Sequence, residues 1–319
     1  MKNVYDIKFE KNLNFILPKN DILSGELIPK KILVVLHLHY PELVDRCMKY
    51  VESIPDFCDV AITSSNEEVL NLLREKKNQS RLYDVVQKDN RGRDISAFLV
   101  ALREKILQYE VVCFTHDKKG KTEEKIAAAS EFMYCLWENT LASRDYIFNV
   151  LLTLQRNQNL GLLLPPEVIH PDFMPFIYDI WGPNFENLEK LVRDLNLNCD
   201  ITYDKRPLSV GTAFWAKTKA LTPLFEKEWR YEDFPQEPMG NDGTISHAIE
   251  RVFAYVAQSE GYETGIVMTD WYAGLQREQT QAIGTTVYAE LKNLFAIDSY
   301  LELVKYSGLR EKLREMRRT

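Results

Sequence analysis

Short apolar runs alternate with segments of helical periodicity along the first 120 residues of the chain. The first run, residues 31–40, is almost continuously apolar, which is typical of a strand buried on both faces. The other segments are predicted as strands over 59–65, 81–87 and 109–115, and as helices over 42–51, 67–76 and 95–107. This alternation predicts βαβ units, and therefore an α/β fold with a Rossmann-type, mainly parallel sheet flanked by helices.

The second half of the chain has a less regular pattern. Residues 1–30 are polar and broken by prolines and a glycine, so we predict an N-terminal lead-in before the sheet. The remaining elements are predicted as strands over 160–164 and 209–216, helices over 122–139, 145–157 and 243–259, and one or two amphipathic helices over 288–318.

The composition narrows the classes of function. The 319 residues include 40 basic and 47 acidic side chains, a formal charge of -7, which argues against a nucleic acid polymer as ligand. The five cysteines are widely spaced and form no Cys-x-x-Cys pair, as in a reduced protein. The chain shows neither a signal-peptide pattern nor the roughly 20 consecutive apolar residues of a membrane span. We therefore expect a cytoplasmic protein.

Candidate chemistry follows the first strand, because parallel sheets bind ligands beyond the carboxyl ends of their strands. Strand alternation places His37 and His39 on one face, and Tyr40 could stack on a nucleobase. The alternative is a histidine pair at the edge of the core, followed by a helix that begins at Pro41. Metal binding by this pair is weakly supported, because no third ligand follows at a suitable spacing.

The loop Asn90-Arg-Gly-Arg-Asp94 follows the third predicted strand and directly precedes a helix. Gly92 allows a turn with exposed N–H groups, and the arginines can pair with phosphate oxygens. The loop is therefore a candidate diphosphate cradle. The structural alternative is that Asp94 caps the helix that begins at Ile95, while Gly92 only satisfies a turn.

The fourth predicted strand is followed by a basic segment, residues 115–121. A metal-dependent nucleotide-sugar enzyme would carry an Asp-x-Asp pair here, whereas His116 and Lys118 occupy that spacing in this chain. Cations can neutralise a leaving diphosphate directly, which favours chemistry without a metal. The alternative is a solvated basic turn.

Candidate groups in the second half cluster around the helix predicted over 243–259. Asp242 could act as a general base or as the helix N-cap. His247 and Arg251 lie one turn apart on one face of that helix. Trp215 ends a predicted strand and could pack on a sugar ring, although burial in the core is the usual fate of such an aromatic.

Together these motifs resemble the rhamnan synthesis protein F family of bacterial polysaccharide glycosyltransferases. The resemblance covers roughly residues 30–275, and the matching pieces occur in family order. They are His37-Leu-His39-Tyr40-Pro41, the strand end at Thr63, Asn90-Arg-Gly-Arg-Asp94 with Phe98, Thr115-His116-Asp117-Lys118-Lys119, Gly211-Thr-Ala-Phe-Trp215, and Asp242-Gly-Thr-Ile-Ser-His247-Ala-Ile-Glu250-Arg251.

The resemblance implies a GT-A-like glycosyltransferase domain over 31–275, with a nucleotide-sugar half (31–120) and an acceptor half (121–275). Residues 276–319 would then form a C-terminal helical extension. The implied activity is the transfer of a sugar, rhamnose being favoured, to a growing cell-surface polysaccharide with inversion. The implied partners are a nucleotide diphosphate sugar, with dTDP-rhamnose favoured, and a glycan or lipid-linked glycan acceptor.

The resemblance also implies roles for individual residues. Asp242 would be the base, with His116 and Lys118 stabilising the leaving group. The donor would contact His37, Tyr40, Thr63, Asn90, Gly92, Arg93 and Asp94, and the acceptor would contact Trp215, His247 and Arg251. No cofactor is expected. However, the chain departs from the family's usual Lys-x-His-Thr-Lys-Lys segment at Asp117, and this carboxylate leaves open the binding of a divalent metal.

Other functions remain open at this stage. A nucleotide-binding hydrolase or nucleotidyltransferase is disfavoured, because the chain has no Walker loop and no clustered carboxylates for two metals. The main alternative is an inactive scaffold that binds nucleotide-sugar or glycan within a polysaccharide assembly complex. The basic residues 305–319 also suggest peripheral contact with the inner face of the membrane, or an ordinary exposed terminal helix.

Overall fold

The computed structural model describes residues 13–28, 30–77, 83–120, 122–168, 181–203, 209, 211–240 and 242–295. Residues 13–273 form one compact unit. The described residues of a second unit, 274–295, are helical. The predicted helices over 288–318 and the basic segment 305–319 therefore lie largely or wholly outside the described residues.

Eight strands form one sheet. They are β1 (Leu13–Leu17), β2 (Ile32–His37), β3 (Asp59–Ser64), β4 (Asp84–Gln87), β5 (Val111–His116), β6 (Leu160–Leu164), β7 (Phe214–Lys217) and β8 (Glu263–Thr269). Their order is β1-β8-β6-β7-β5-β2-β3-β4, and the pairs are parallel except those that β7 makes with β5 and β6. The carboxyl ends of the other seven strands consequently lie at one edge of the sheet, which we call the carboxyl edge. The predicted α/β fold with a mainly parallel sheet is confirmed.

Helices cover both faces of the sheet. The longer helices are α1 (Val44–Val51), α2 (Glu67–Lys77), α5 (Ile126–Leu141), α6 (Arg144–Arg156), α7 (Phe185–Asp194), α9 (Ile245–Ser259) and α10 (Asp270–Phe295). Three shorter ones are α3 (Arg93–Ser96), α4 (Arg103–Ile106) and α8 (Thr222–Glu226). None of the helices in the described ranges is both long and apolar enough to cross a bilayer.

The alternation of side chains along the strands produces two hydrophobic cores. On one face, Leu33 and Val35 pack with α7, α9 and the segment from α3 to α4. On the other face, Val34 and Leu36 pack with α1, α2, α5 and α6. All six residues of β2 are buried, which explains the continuous apolar run in the sequence.

Several elements differ from the sequence-based predictions. Residues 13–17, assigned to the lead-in, form the edge strand β1, and β8 was not predicted. β1 has only five residues, and Asn14 interrupts its four apolar side chains, so it lacks the continuous apolar run of the buried strands. The helix predicted over 95–107 is interrupted by a π-helical turn at Ala97–Ala101. The helix predicted to begin near residue 288 begins at Asp270.

Candidate functional site

His37 and His116 meet at the carboxyl edge. The strand register aligns His37 with both Thr63 and His116. His37 Nδ1 lies 3.0 Å from Thr63 Oγ1, and that hydroxyl donates to the carbonyl of Leu36 at 3.2 Å. Because a hydroxyl has one proton, Thr63 must accept from His37, so Nδ1 carries the ring proton and Nε2 is the acceptor nitrogen. Two residues predicted to contact the donor, His37 at the end of β2 and Thr63 near the end of β3, are thus in direct contact.

The His37 ring is held in its neutral form. The residue is only 5% exposed. Burial lowers the pKa of His37 to about 3, and the nearby charge of Lys88 acts in the same direction. A neutral imidazole with a defined tautomer can accept a hydrogen bond at Nε2 but does not bring a positive charge.

We expect His37 to make stability depend on pH. The pKa of a histidine is 6.5 in an unfolded chain, whereas that of His37 is about 3 in the fold, so between these values the unfolded chain binds more protons. The free energy of unfolding should therefore fall as the pH is lowered through this window, by up to about 1.4 kcal/mol per pH unit from this group. In His37→Asn, an amide N–H can replace Nδ1–H, and this contribution should disappear.

Urea unfolding of both proteins at several pH values measures this contribution. Wild type should lose stability faster than His37→Asn between neutral pH and pH 3, because the other titrating groups are common to both proteins. Parallel stability curves would show that His37 does not carry the shift.

His116 lies between a carbonyl and a carboxylate. Its Nδ1 donates to the carbonyl of Asp117 at 2.8 Å, and Trp137 Nε1 donates to the carbonyl of His116 at 2.8 Å. His116 Nε2 lies 4.0 Å from Asp94 Oδ2. Burial alone would raise the pKa of Asp94, but His116 and a hydrogen bond from Thr212 hold that pKa below its usual range. Asp94 therefore stays ionised and faces the imidazole nitrogen that is not bound to the carbonyl.

The Asp117 carboxylate connects two strand ends. Its Oδ2 accepts hydrogen bonds from the backbone N–H groups of His39 and Tyr40, each at 2.8 Å. Burial raises the pKa of Asp117 to about 6. Asp117 therefore has a structural role in holding the segment after β2 against the end of β5. Within the described ranges, no three His, Cys, Asp or Glu side chains are grouped as metal ligands.

The loop before α3 has left-handed backbone geometry. Gly92 has a φ of 71°, and a Cβ at this position would lie 2.6 Å from the Phe234 ring. Gly92, rather than Asp94, occupies the N-cap position of α3. The capping alternative for Asp94 is therefore wrong, and its side chain serves the contact with His116. Asn90 accepts a hydrogen bond from Ser65 at the end of β3.

Both arginines of the loop already have partners. Arg91 Nε donates to the carbonyl of Phe234 at 2.6 Å, which ties the loop to the segment before α9. Arg93 has a φ of 45°, and its Nε donates to Glu237 Oε1 at 2.9 Å. A second guanidinium nitrogen of Arg93 lies 3.3 Å from the carbonyl of Met239. The loop is thus rigid, and Arg93 is partly exposed with its guanidinium oriented.

The two lysines after β5 have different surroundings. Lys118 is exposed, and its ammonium lies 4.4 Å from the centre of the Phe132 ring. Lys119 forms an ion pair with Glu42. Lys118 therefore contacts an aromatic ring, whereas Lys119 is paired with a carboxylate at the surface.

Asp242 does not cap α9. The N-cap is Thr244, whose hydroxyl lies 2.8 Å from His247 Nδ1 in a capping box. Asp242 Oδ1 accepts from Asn184 Nδ2 at 2.7 Å and from the Gly243 N–H at 3.0 Å. About a third of its side chain is exposed. The N-cap alternative for Asp242 is wrong, and the carboxylate is both oriented and accessible.

Two predicted acceptor residues lie in the interior instead. Trp215 is fully buried, and its Nε1 donates to the carbonyl of Thr140 at 2.9 Å. The predicted contact between Trp215 and a sugar is therefore wrong, because the whole ring is buried in the core. Arg251 is only 4% exposed, donates to the carbonyl of His247 at 2.9 Å, and lies 3.8 Å from Asp242 Oδ1. Arg251 therefore positions Asp242 and is not available to an acceptor.

His247 lies at the start of α9, where its Nδ1 is 2.8 Å from the Thr244 hydroxyl. Burial lowers the pKa of His247, and the carboxylates of Glu250 and Asp242 oppose this effect. The loop before α3 reaches the segment before α9 through Arg93, whose Nε donates to Glu237 Oε1 at 2.9 Å. These two loops thus face one region.

Lys88 is a site residue that the sequence analysis missed. It is buried, and its ammonium donates to the carbonyl of Asp89 at 2.6 Å and to that of Arg91 at 3.3 Å. Burial lowers the pKa of Lys88 to about 8, although nearby carboxylates oppose the shift. Its position directly after β4 is the signal that could have identified it.

The amino-acid sequence is similar to known proteins. Two proteins from different strains of Xanthomonas campestris pv. campestris, each described as "Uncharacterized protein WxcX", are 25% identical to the chain over 247 residues. The similarity covers 77% of this chain and 34% of each relative, so the chain spans about a third of their length. The family model of rhamnan synthesis protein F matches residues 1–262. Since that match covers most of the chain, the protein belongs to the rhamnan synthesis protein F family.

Proposed function

We propose that this protein is a glycosyltransferase that moves rhamnose from a nucleotide diphosphate donor to a growing cell-surface polysaccharide. The observation that supports this most is the convergence of His37, His116 and Asp94 at the carboxyl edge. Oriented cationic and acidic loops flank these residues. The favoured donor is dTDP-rhamnose, and the acceptor is a glycan or lipid-linked glycan at the cytoplasmic face of the membrane.

In this proposal the donor lies across the ends of β2, β3 and β5. Tyr40 is half-exposed and packs edge-on against His39 with ring centres 5.2 Å apart, which suits stacking on a pyrimidine base. The diphosphate lies against Arg93, His116 and Lys118. Arg93 is held in place by Glu237, so little side-chain entropy is lost when it contacts an anion.

The transfer step requires one base and a stabilised leaving group. The acceptor hydroxyl oxygen attacks the anomeric carbon, and its proton passes to the Asp242 carboxylate. The bond between the anomeric carbon and the diphosphate oxygen breaks, and the electron pair leaves with the diphosphate. Attack from the face opposite the leaving group inverts the configuration. Asn184 and Arg251 hold Asp242 in one orientation for this role.

A non-catalytic function is the second candidate. The guanidinium of Arg93 is already engaged by Glu237 and by the Met239 carbonyl, which reduces the charge available to a leaving diphosphate. A scaffold that binds a nucleotide-sugar or glycan for a larger assembly would tolerate this engagement. Such a protein would bind the donor without releasing the nucleotide.

A thermal-shift panel of nucleotide sugars tests the donor. dTDP-rhamnose, and less strongly a uridine diphosphate sugar, should raise the melting temperature, because a ligand bound only by the native state stabilises it. Guanosine diphosphate sugars should change it little. Greater stabilisation by a guanosine diphosphate sugar would contradict the assignment of the donor.

A further inference from the structure

A surface pocket lies at the carboxyl edge, outside the site described above. It is lined by Lys19, Asn20, Asp270 and Trp271. These residues directly follow the ends of β1 and β8. In the sheet order β8 is three positions from β5, which corresponds to about 15 Å at the usual strand spacing. The pocket is therefore separate from His116 but shares the edge at which it lies.

The Trp271 side chain is largely open to solvent. The residue is 65% exposed, although it is one of the largest apolar side chains. The next residue, Tyr272, is buried and packs on Tyr134, with ring centres 6.1 Å apart. The start of α10 is thus anchored in the core and presents an exposed aromatic ring beside the pocket.

Buried polar groups also hold the polar side of the pocket. Asp270 Oδ1 accepts from the backbone N–H of Lys19 at 3.0 Å and from that of Trp271 at 2.9 Å. The Lys19 ammonium lies 2.6 Å from Glu138, which is only 2% exposed. The buried amide of Asn149 donates to the carbonyls before and after Lys19–Asn20 at 3.0 and 2.8 Å. This loop is therefore set before any ligand arrives.

The chemistry of the pocket suits a neutral, hydroxylated ligand. An exposed aromatic face binds the C–H face of a sugar ring, while amide and carboxylate groups hydrogen-bond its hydroxyls. A phosphate is disfavoured, because the Lys19 ammonium is paired with Glu138 and the Asp270 carboxylate would repel an anion. The methyl group of a deoxysugar such as rhamnose adds apolar area against the indole.

We infer that Trp271, Asn20 and Asp270 form a second carbohydrate-binding site, which holds a rhamnose-containing oligosaccharide away from the transfer site. The distance to β5 means that one extended glycan can lie along the edge and bind at both places. This inference concerns binding alone, so it would stand if the chain were a scaffold without transferase activity. It rests on the membership of this chain in the rhamnan synthesis protein F family and on the geometry of the pocket.

The test measures the binding of a rhamnose tetrasaccharide to the whole chain. Isothermal titration calorimetry gives the affinity, and saturation-transfer NMR reports the contact. Wild type and Trp271→Phe should bind, because both present an aromatic face. Trp271→Ala should bind at least about tenfold more weakly, which corresponds to about 1.4 kcal/mol. Phe57→Ala is the matched control, since Phe57 is 50% exposed just before β3, at the opposite edge of the sheet.

Three results would overturn the inference. They are no measurable binding of the tetrasaccharide by wild type, equal binding by wild type and Trp271→Ala, and an equal loss in Phe57→Ala. Binding of the same proteins to anionic phosphatidylglycerol vesicles is measured as well. Vesicle binding that depends on Trp271, without any glycan binding, would assign the exposed ring to a membrane surface instead.

Discussion

Replacing Asp242 with asparagine is expected to lower kcat for sugar transfer by about 10²–10⁴-fold, the range typical of losing a general base. The side chain keeps its size, and its oxygen can still accept from Asn184 and from the Gly243 N–H. The start of α9 should be unaffected, because Thr244 is its N-cap. Donor affinity should therefore stay near wild type, while the melting temperature should fall, because the buried Arg251 guanidinium loses its ion pair with this carboxylate.

Parallel measurements of turnover, donor binding and thermal melting check this expectation. Asp194→Asn is a matched control, because Asp194 is an exposed carboxylate at the end of α7. The control should retain full turnover. Full transfer by Asp242→Asn would move the base to another carboxylate, and Glu237 and Glu250 would be tested next.

Replacing His116 with asparagine is expected to lower kcat by about 10²–10³-fold, the effect of removing one donor that stabilises developing charge. The shorter amide can still donate to the Asp117 carbonyl in place of Nδ1, but it has no group at the position of Nε2. The nitrogen that faces Asp94, and that would meet the diphosphate, is thereby lost. Donor binding should weaken in the same variant.

Single-turnover kinetics with dTDP-rhamnose separate the two effects of this change. The rate of the chemical step should fall even when the donor is saturating, and the circular dichroism spectrum should match wild type. A wild-type rate at saturating donor would assign leaving-group stabilisation to Arg93 and Lys118 without His116. The role of the His116 imidazole would then be structural, through its hydrogen bond to the Asp117 carbonyl.

The buried strands could be predicted because their sequence pattern is local. β2 is buried at all six positions and β5 at five of six, so each reads as a continuous apolar run. β1 and β8 were missed because neither is a continuous apolar run: Asn14 interrupts β1, and β8 begins with Glu263, Thr264 and Gly265. Pairing with each other at one end of the sheet, rather than composition, makes them strands.

The expectation that ligands bind beyond the carboxyl ends of parallel strands drew attention to His37 and His116, but it could not give their contacts. Asp117 accepts hydrogen bonds from the backbone just after β2, at His39 and Tyr40. These residues are 78 and 77 positions away from Asp117 in the sequence. Nothing in a single sequence reports a contact over that separation. Trp215 was misread for a related reason, since burial between α5 and the sheet depends on packing that periodicity does not reveal.

We propose that the chain transfers rhamnose and does not only bind its donor. The most direct measurement incubates the purified protein with dTDP-rhamnose and a rhamnose-containing glycan acceptor, and follows dTDP release and rhamnose incorporation in the same sample. Both are expected in equal amounts, and both are expected to fall together in Asp242→Asn. Saturable donor binding with neither dTDP release nor incorporation would contradict the proposed transfer and would identify the protein as a binding component of polysaccharide synthesis.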